Sequence, residues 1–150
     1  MRSVHWCLAA SLLLLVGLGV RGAAQTPSTP PESTLGGVYT ADQAKRGEES
    51  YMNICVGCHA AGTYVGKGFQ ETWAGGRPLS DLYDQMAEKM PKDDPGSLEP
   101  KEYAQILAYI LKKNGLPEGK AELPADSATL KKVRFETAKA PALSQARGTR

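Results

Sequence analysis

Hydrophobic and polar positions divide the chain into an apolar leader and an amphipathic remainder. The apolar run Leu8–Val20 follows the charged Arg2, and it is shorter than the roughly 20 residues that a bilayer-crossing helix needs. The small residues Gly22 and Ala24 come next, which completes the pattern of a secretory signal peptide. We therefore predict that residues 1–24 are a signal peptide, that the protein is periplasmic or otherwise exported, and that it has no stable membrane span.

Three later segments have the apolar spacing of amphipathic helices. The first is predicted to begin at Thr40, which is followed three residues later by a glutamine, as in a capping box. The second has Ser80 as its expected N-cap and ends at Pro91. The third carries Pro100 in its first turn and closes at Asn114. No strand pattern of similar strength occurs, so the sequence predicts an all-α domain of three to five helices.

Composition outside these helices suggests the domain limits. Residues 25–37 are rich in Pro, Ser and Thr, and we interpret them as a linker. Residues 38–120 form the predicted helical domain, and residues 121–150 a C-terminal extension that is partly disordered, with Leu123–Phe135 expected to wrap the domain. A domain of about 80 residues has a marginal core and is usually stabilised further by a metal, a disulfide or another cross-link.

Charge and cysteine content narrow the possible chemistry. The sequence has 18 basic and 16 acidic side chains, and two of the basic ones, Arg2 and Arg21, lie in the predicted signal peptide. The remainder is near neutral, so there is no bulk charge to attract nucleic acid, and we expect no nucleic-acid partner. Outside the signal peptide the cysteines are Cys55 and Cys58, and the one histidine is His59.

These three residues form the Cys-x-x-Cys-His signature of covalent haem attachment. Helical positions i, i+3 and i+4 share a face, so the sulfurs of Cys55 and Cys58 and the imidazole of His59 can meet one porphyrin. Three alternatives compete. A Cys55–Cys58 disulfide would restrain little, a thioredoxin-type pair needs a βαβ context that is absent, and a zinc site wants four ligands where only three such side chains exist. We predict one covalently bound haem c with His59 as an iron ligand.

The sixth iron ligand is approached by elimination. Because His59 is the last histidine, bis-histidine ligation within the chain is excluded, and methionine is the usual alternative in electron-carrying cytochromes. Met52 is too near the attachment motif in sequence to reach the other haem face. Met86 and Met90 remain, and each would otherwise be core filling on a helix. Met90 is favoured because Pro91 ends the helix and lets its thioether enter a loop across the cofactor.

With these motifs in order, the stretch from about Tyr39 to Gly119 resembles a class I cytochrome c. The segment from Met90–Pro91 to Asn114–Gly115 is also similar to small bacterial cytochromes associated with quinoprotein dehydrogenases. The resemblance implies a one-electron carrier with His/Met haem ligation rather than an enzyme. Its implied partners are redox proteins of the envelope, such as a quinoprotein dehydrogenase and a terminal oxidase. The alternative functions are a haem enzyme or gas-binding sensor with a labile sixth ligand, and a haem-free secreted binding module.

The resemblance implies further residue roles. The first and last helices of the family cross at a small residue beside an aromatic one, which places Gly47 against Tyr109 or a neighbour. Trp73 and Arg77 are candidates for binding the haem propionates, by an indole N–H and by charge-assisted hydrogen bonds. The competing interpretation of these two residues is ordinary loop anchoring.

One departure from the family pattern concerns the second nitrogen of the ligand histidine. Class I members usually have a proline after the haem motif whose carbonyl accepts that N–H, and residues 60–77 contain no proline. Such bonds orient a metal-bound imidazole and tune the iron. We expect a backbone carbonyl of the loop Gly62–Gly68 to replace it.

Overall fold

The computed structural model describes residues 30–137. The predicted signal peptide, residues 25–29 of the predicted linker and the tail from residue 138 onwards lie outside the described residues. Within residues 30–137 the α-helices are α1 (Ala41–Ser50), α2 (Lys67–Trp73), α3 (Leu79–Lys89), α4 (Pro100–Lys113) and α5 (Ser127–Leu130). Strands β1 (Arg77–Pro78) and β2 (Arg134–Phe135) form one antiparallel pair. The expectation of a helical domain with three to five helices is confirmed.

The structure confirms the predicted start of the first helix but not that of the second. The Thr40 hydroxyl accepts the N–H of Gln43 at 3.1 Å, so the predicted cap of α1 is confirmed. The Gln43 side chain does not complete a capping box, because it is fully buried and pairs with the backbone of Leu123 through bonds of 2.7 and 2.9 Å. The expected cap at Ser80 is wrong, because helix α3 begins at Leu79 with Pro78 as its N-cap, and Ser80 is buried inside the helix.

Helix α4 is the most buried element of the described chain. Pro100 is its first residue and Asn114 its C-cap, as predicted. The Glu102 carboxylate accepts the N–H of Glu99 at 3.1 Å, which satisfies one of the free donors at the helix start. Every residue from Tyr103 to Leu111 is buried. Neighbouring elements therefore surround this helix on nearly all sides.

Helices α1 and α4 cross where Gly47 faces Gln105. A Cβ atom at Gly47 would lie 1.8 Å from the Gln105 carbonyl oxygen and 2.9 Å from the Ile106 nitrogen, so the two backbones are too close for any side chain. Tyr109 lies one turn further along α4, and its ring packs against that of Tyr51 with centroids 5.3 Å apart. The expected crossing at Gly47 is confirmed, with Gln105 as the immediate contact.

The segment after α4 packs back onto the helices. Leu123, Leu130, Val133 and Phe135 are all buried in the same core as α1, α3 and α4. The Leu79 N–H donates to the Val133 carbonyl at 2.8 Å. None of the helices described between residues 30 and 137 is both long and apolar enough to traverse a lipid bilayer.

The Gly47 contact gives a direct stability test. Gly47→Ala should destabilise the fold by about 3 kcal/mol or more, since backbone atoms of α4 occupy the space of the new methyl group. Gly68→Ala in α2 is the matched control, because nothing lies within 4 Å of its added Cβ and alanine favours a helix interior. Urea unfolding measures both. Equal stability of the two variants would contradict the close helix crossing.

Tyr39 gives a test based on pH. Its hydroxyl donates to the Leu116 carbonyl at 2.7 Å, and burial, together with the nearby Glu118 charge, raises the pKa of Tyr39 to about 12. The unfolded chain loses this proton near pH 10, so its contribution to stability is complete below pH 10 and is lost as the pH rises through 12.

We expect Tyr39→Phe to be less stable than wild type at pH 8 by about 1 kcal/mol, the usual net value of one hydrogen bond. It should also lose less stability than wild type between pH 10 and 12. Urea midpoints across that range provide the measurement, and parallel pH curves for the two proteins would show that Tyr39 does not titrate as inferred.

Candidate functional site

A cleft lies between the end of α1, the end of α3 and the buried helix α4. It is partly open to solvent and has a cavity volume of about 110 Å³. Three groups of residues line it: the attachment motif with Cys55, Cys58 and His59; the methionines Met86 and Met90; and the α4 side chains Tyr103, Ile106 and Ile110. The structure thus brings four of the six predicted site residues into one cavity.

The attachment motif lies at the end of a π-helical turn. Helix α1 continues into this turn over Tyr51–Cys55, and the Val56 N–H donates to the Tyr51 carbonyl at 3.1 Å. Turns of this kind are frequent at functional sites. The His59 N–H then donates to the Cys55 carbonyl at 2.8 Å, so the chain forms a turn through the rest of the motif. All three chemical groups of the motif consequently face the same cleft.

The two thiols are not joined to each other. Cys55 is half-buried and Cys58 exposed, and burial raises the pKa of the Cys55 thiol above its usual value. In the part of the chain that the structure describes, no three or more His, Cys, Asp or Glu side chains cluster closely enough to hold a metal ion. The described residues therefore present no four-ligand cluster of the kind that a structural zinc site uses.

Tyr51 anchors the backbone that follows the motif. Its side chain is buried, and its hydroxyl donates to the carbonyls of His59 at 3.0 Å and Ala60 at 3.2 Å. Burial is the main reason that the pKa of Tyr51 is raised to about 12, with Tyr64, Cys55 and Tyr109 adding to it. The hydroxyl therefore remains a hydrogen-bond donor at neutral pH. Local sequence spacing does not reveal this role.

Tyr64 packs beside the predicted iron ligand. Its ring centroid is 5.1 Å from that of His59. The Tyr64 carbonyl accepts a hydrogen bond from Asn114 Nδ2 at 2.7 Å, and Asn114 Oδ1 accepts one from Gln70 at 3.2 Å. This loop lacks the proline that the resemblance leads one to expect. The Asn114 side chain bonds to the loop backbone, and the Gln70 side chain bonds to Asn114. The acceptor of the His59 ring N–H stays a prediction.

The two candidate methionines differ in their surroundings. Met86 lies within α3 and is 9% exposed, whereas Met90 follows the last residue of α3 in an extended conformation. Both side chains line the cleft that His59 lines. The Met90 carbonyl accepts the Tyr103 hydroxyl at 2.6 Å, which ties the loop to α4. Met90 is therefore the methionine carried by a loop, as its proline neighbour predicted.

Trp73 and Arg77 lie outside the lining of this cleft. The Arg77 guanidinium stacks over the Trp73 ring at 5.4 Å from the centroid. It also donates to the Asp81 carboxylate and to the Thr72 carbonyl, each at 2.9 Å. These contacts hold the corner between α2 and α3, as the loop-anchoring interpretation expects. Binding of propionates by Trp73 and Arg77 stays a prediction.

The cleft suits a flat apolar cofactor that carries a metal. Its walls include the apolar side chains Ile54, Leu98, Ile106 and Ile110. Ile54 is 38% exposed, and Met52 and Val56 beside it are more so. A group of exposed apolar side chains at a cleft mouth is typical of a binding surface. The imidazole, thioether and thiol groups fit haem c, which bonds to two thiols and takes nitrogen and sulfur ligands.

Comparison with known proteins agrees with this chemistry. Residues 42–110 match the family model described as "Cytochrome C oxidase, cbb3-type, subunit III". The matched range contains the attachment motif, both candidate methionines and most of α4. Neither a search of curated proteins nor a search of solved structures finds a match. The family match and the helical fold together support a c-type cytochrome domain, and such a domain implies electron transfer through haem.

Proposed function

We propose that the protein is a one-electron carrier that binds one haem c covalently, with His59 and Met90 as axial ligands, in the manner of a class I cytochrome c. The observation that carries this proposal is that the whole attachment motif and Met90 line a single apolar cleft. When bound, the haem supplies the reversible one-electron chemistry of iron. The residues of this chain hold it, orient its ligands and restrict the access of water.

On the attachment side, Cys55 and Cys58 provide the sulfurs for the two thioether bonds and His59 provides the iron ligand. The backbone of His59 is fixed by the Tyr51 hydroxyl, and its ring is packed against Tyr64. Contacts of this kind orient a metal-bound imidazole and tune the iron. They support a histidine whose position does not change between oxidation states.

On the other side, Met90 is favoured over Met86. Met90 lies beyond the end of α3, and its carbonyl is held by Tyr103, so the backbone from which its thioether extends is fixed. Met86 lies on the buried face of α3, where a flexible thioether fills core space. Ligation by methionine raises the reduction potential relative to most alternatives.

A carrier function follows from this ligation. Two protein ligands leave no open iron position for a substrate, so electrons would pass through the haem edge during brief contacts with redox proteins of the envelope. Such partners use small, weak interfaces. We propose an exported, periplasmic protein that takes electrons from a donor such as a quinoprotein dehydrogenase. The likeness to a cbb3-type oxidase subunit over residues 42–110 supports a terminal oxidase as acceptor.

Covalent haem attachment is tested on the protein purified from cells that mature c-type cytochromes. Its mass should exceed that of the processed polypeptide by one haem, and haem absorbance should survive denaturation and washing. The double variant Cys55→Ser with Cys58→Ser should lose haem on denaturation, because no thioether bond remains. A wild-type mass equal to that of the polypeptide alone would disprove the proposed function and favour a haem-free binding module.

The sixth ligand is tested with two variants of nearly equal volume, Met90→Leu and Met86→Leu. Met90→Leu should abolish the sulfur-to-iron absorbance band of the ferric protein, lower the reduction potential and allow carbon monoxide to bind the reduced protein rapidly and completely. Met86→Leu should retain the band and resist carbon monoxide, since it removes only a core thioether.

The reverse pattern would assign the ligand to Met86. Rapid and complete carbon monoxide binding by the reduced wild-type protein would contradict a carrier with two fixed ligands. That result would favour the haem enzyme or gas-binding sensor.

A further inference from the structure

The segment between α3 and α4 carries Met90 on an exposed loop. All residues from Lys92 to Ser97 are exposed. The loop has three internal backbone hydrogen bonds: the Asp94 N–H donates to the Pro91 carbonyl at 3.1 Å, the Ser97 N–H to the Asp94 carbonyl at 3.3 Å and the Gly96 N–H to the Met90 carbonyl at 3.4 Å. Segments with few buried contacts open locally at low free energy. Something outside the loop is needed to fix Met90.

The side chain of Tyr103, outside the loop, holds Met90 in place. This side chain is 3% exposed, and Tyr103 lies in the first turn of α4. Its hydroxyl donates to the Met90 carbonyl at 2.6 Å and accepts the Leu98 N–H at 3.4 Å. One buried oxygen thus joins the beginning and the end of the loop to a helix that is itself buried and held against α1.

Tyr103 forms its side-chain hydrogen bonds with the loop that carries Met90 and not with the attachment motif. The neighbouring Tyr83 ring meets that of Tyr103 edge to face at 6.4 Å. The Tyr83 hydroxyl donates to the carbonyls of Pro100 and Ala125, both at 3.2 Å and both outside the loop. The two tyrosines therefore have similar burial and similar bonding to carbonyls, and they differ in whether the acceptor belongs to Met90.

We propose that Tyr103 is a positioning residue for the sixth iron ligand: its hydroxyl fixes the backbone of Met90 and thereby sets how readily the thioether leaves the iron. This inference rests on the His59 and Met90 ligation proposed above. The Met90 side chain has three rotatable bonds and adapts easily, so the restraint has to come from its backbone. A single hydrogen bond of this kind corresponds to roughly a tenfold change in an equilibrium constant.

The test uses imidazole as a competing ligand for the ferric holoprotein. Tyr103→Phe should bind imidazole about 10-fold more tightly than wild type, and its sulfur-to-iron band should disappear at correspondingly lower imidazole concentration. Tyr83→Phe is the matched control, since it removes a similarly buried hydroxyl that does not contact the loop. It should lower the urea midpoint but leave the imidazole affinity at the wild-type value.

Three outcomes separate the possible failures. If Tyr103→Phe lowers stability but binds imidazole no more tightly than Tyr83→Phe does, Tyr103 is only a structural residue and the inference is overturned. If both variants bind imidazole more tightly by the same factor, a general loosening of the folded domain explains the tighter binding, and the inference again fails. If wild-type protein carries covalent haem but shows no sulfur-to-iron band, the His/Met ligation itself is wrong.

A measurement on wild-type protein removes any dependence on the folding of the variant. If the Tyr103 hydrogen bonds and Met90 ligation are coupled, displacing Met90 with imidazole must weaken them by the same factor. Hydrogen exchange at the Leu98 amide, which donates to the Tyr103 oxygen, should accelerate about 10-fold with saturating imidazole. The Leu107 amide, in the middle of α4, should be unaffected. Unchanged exchange at Leu98 would refute the coupling.

Discussion

The contact between the backbones of α1 and α4 at Gly47 is the constraint on which the site depends. The two helices meet with no room for a side chain at the glycine, so their relative position is fixed by direct backbone packing. Helix α1 runs on into the π-helical turn that carries the attachment motif, and α4 supplies the buried wall of the cleft. The position of His59 relative to that wall therefore follows from the crossing. A movement at Gly47 would be transmitted along α1 to the attachment motif and His59.

Helix α4 also supports both loops that border the cleft. Near its beginning Tyr103 holds the loop that bears Met90, and at its end Asn114 holds the loop that bears Tyr64. Each of these contacts is a side-chain hydrogen bond to a backbone carbonyl. Such bonds order a loop that has too few apolar residues to build a core of its own. Two loops tied to one rigid helix would suit the proposed carrier, whose ligands stay on the iron in both oxidation states.

The aromatic side chains connect this site to the end of the described chain. Phe135 packs against Phe69 at 6.1 Å, Phe69 against Tyr64 at 5.8 Å, and Tyr64 against His59 at 5.1 Å. The same C-terminal segment is paired with α1 through Gln43 and Leu123. Residues beyond position 120 thus contribute to one continuous core with α1, α3 and α4, which adds buried apolar area to a domain that would otherwise be marginal.

The resemblance to class I cytochromes c, and not local spacing, indicated the small residue at the helix crossing. Local spacing in the sequence was enough to determine the attachment motif, the caps of α1 and α4 and the two candidate methionines. Each of these is a rule about residues a few positions apart, because helical geometry repeats within one turn. The roles of Gln43, Tyr51, Tyr103 and Asn114 were decided by tertiary structure. Gln43 meets Leu123 across 80 positions and Asn114 meets Tyr64 across 50, and no periodic pattern encodes which distant backbone a polar side chain will reach.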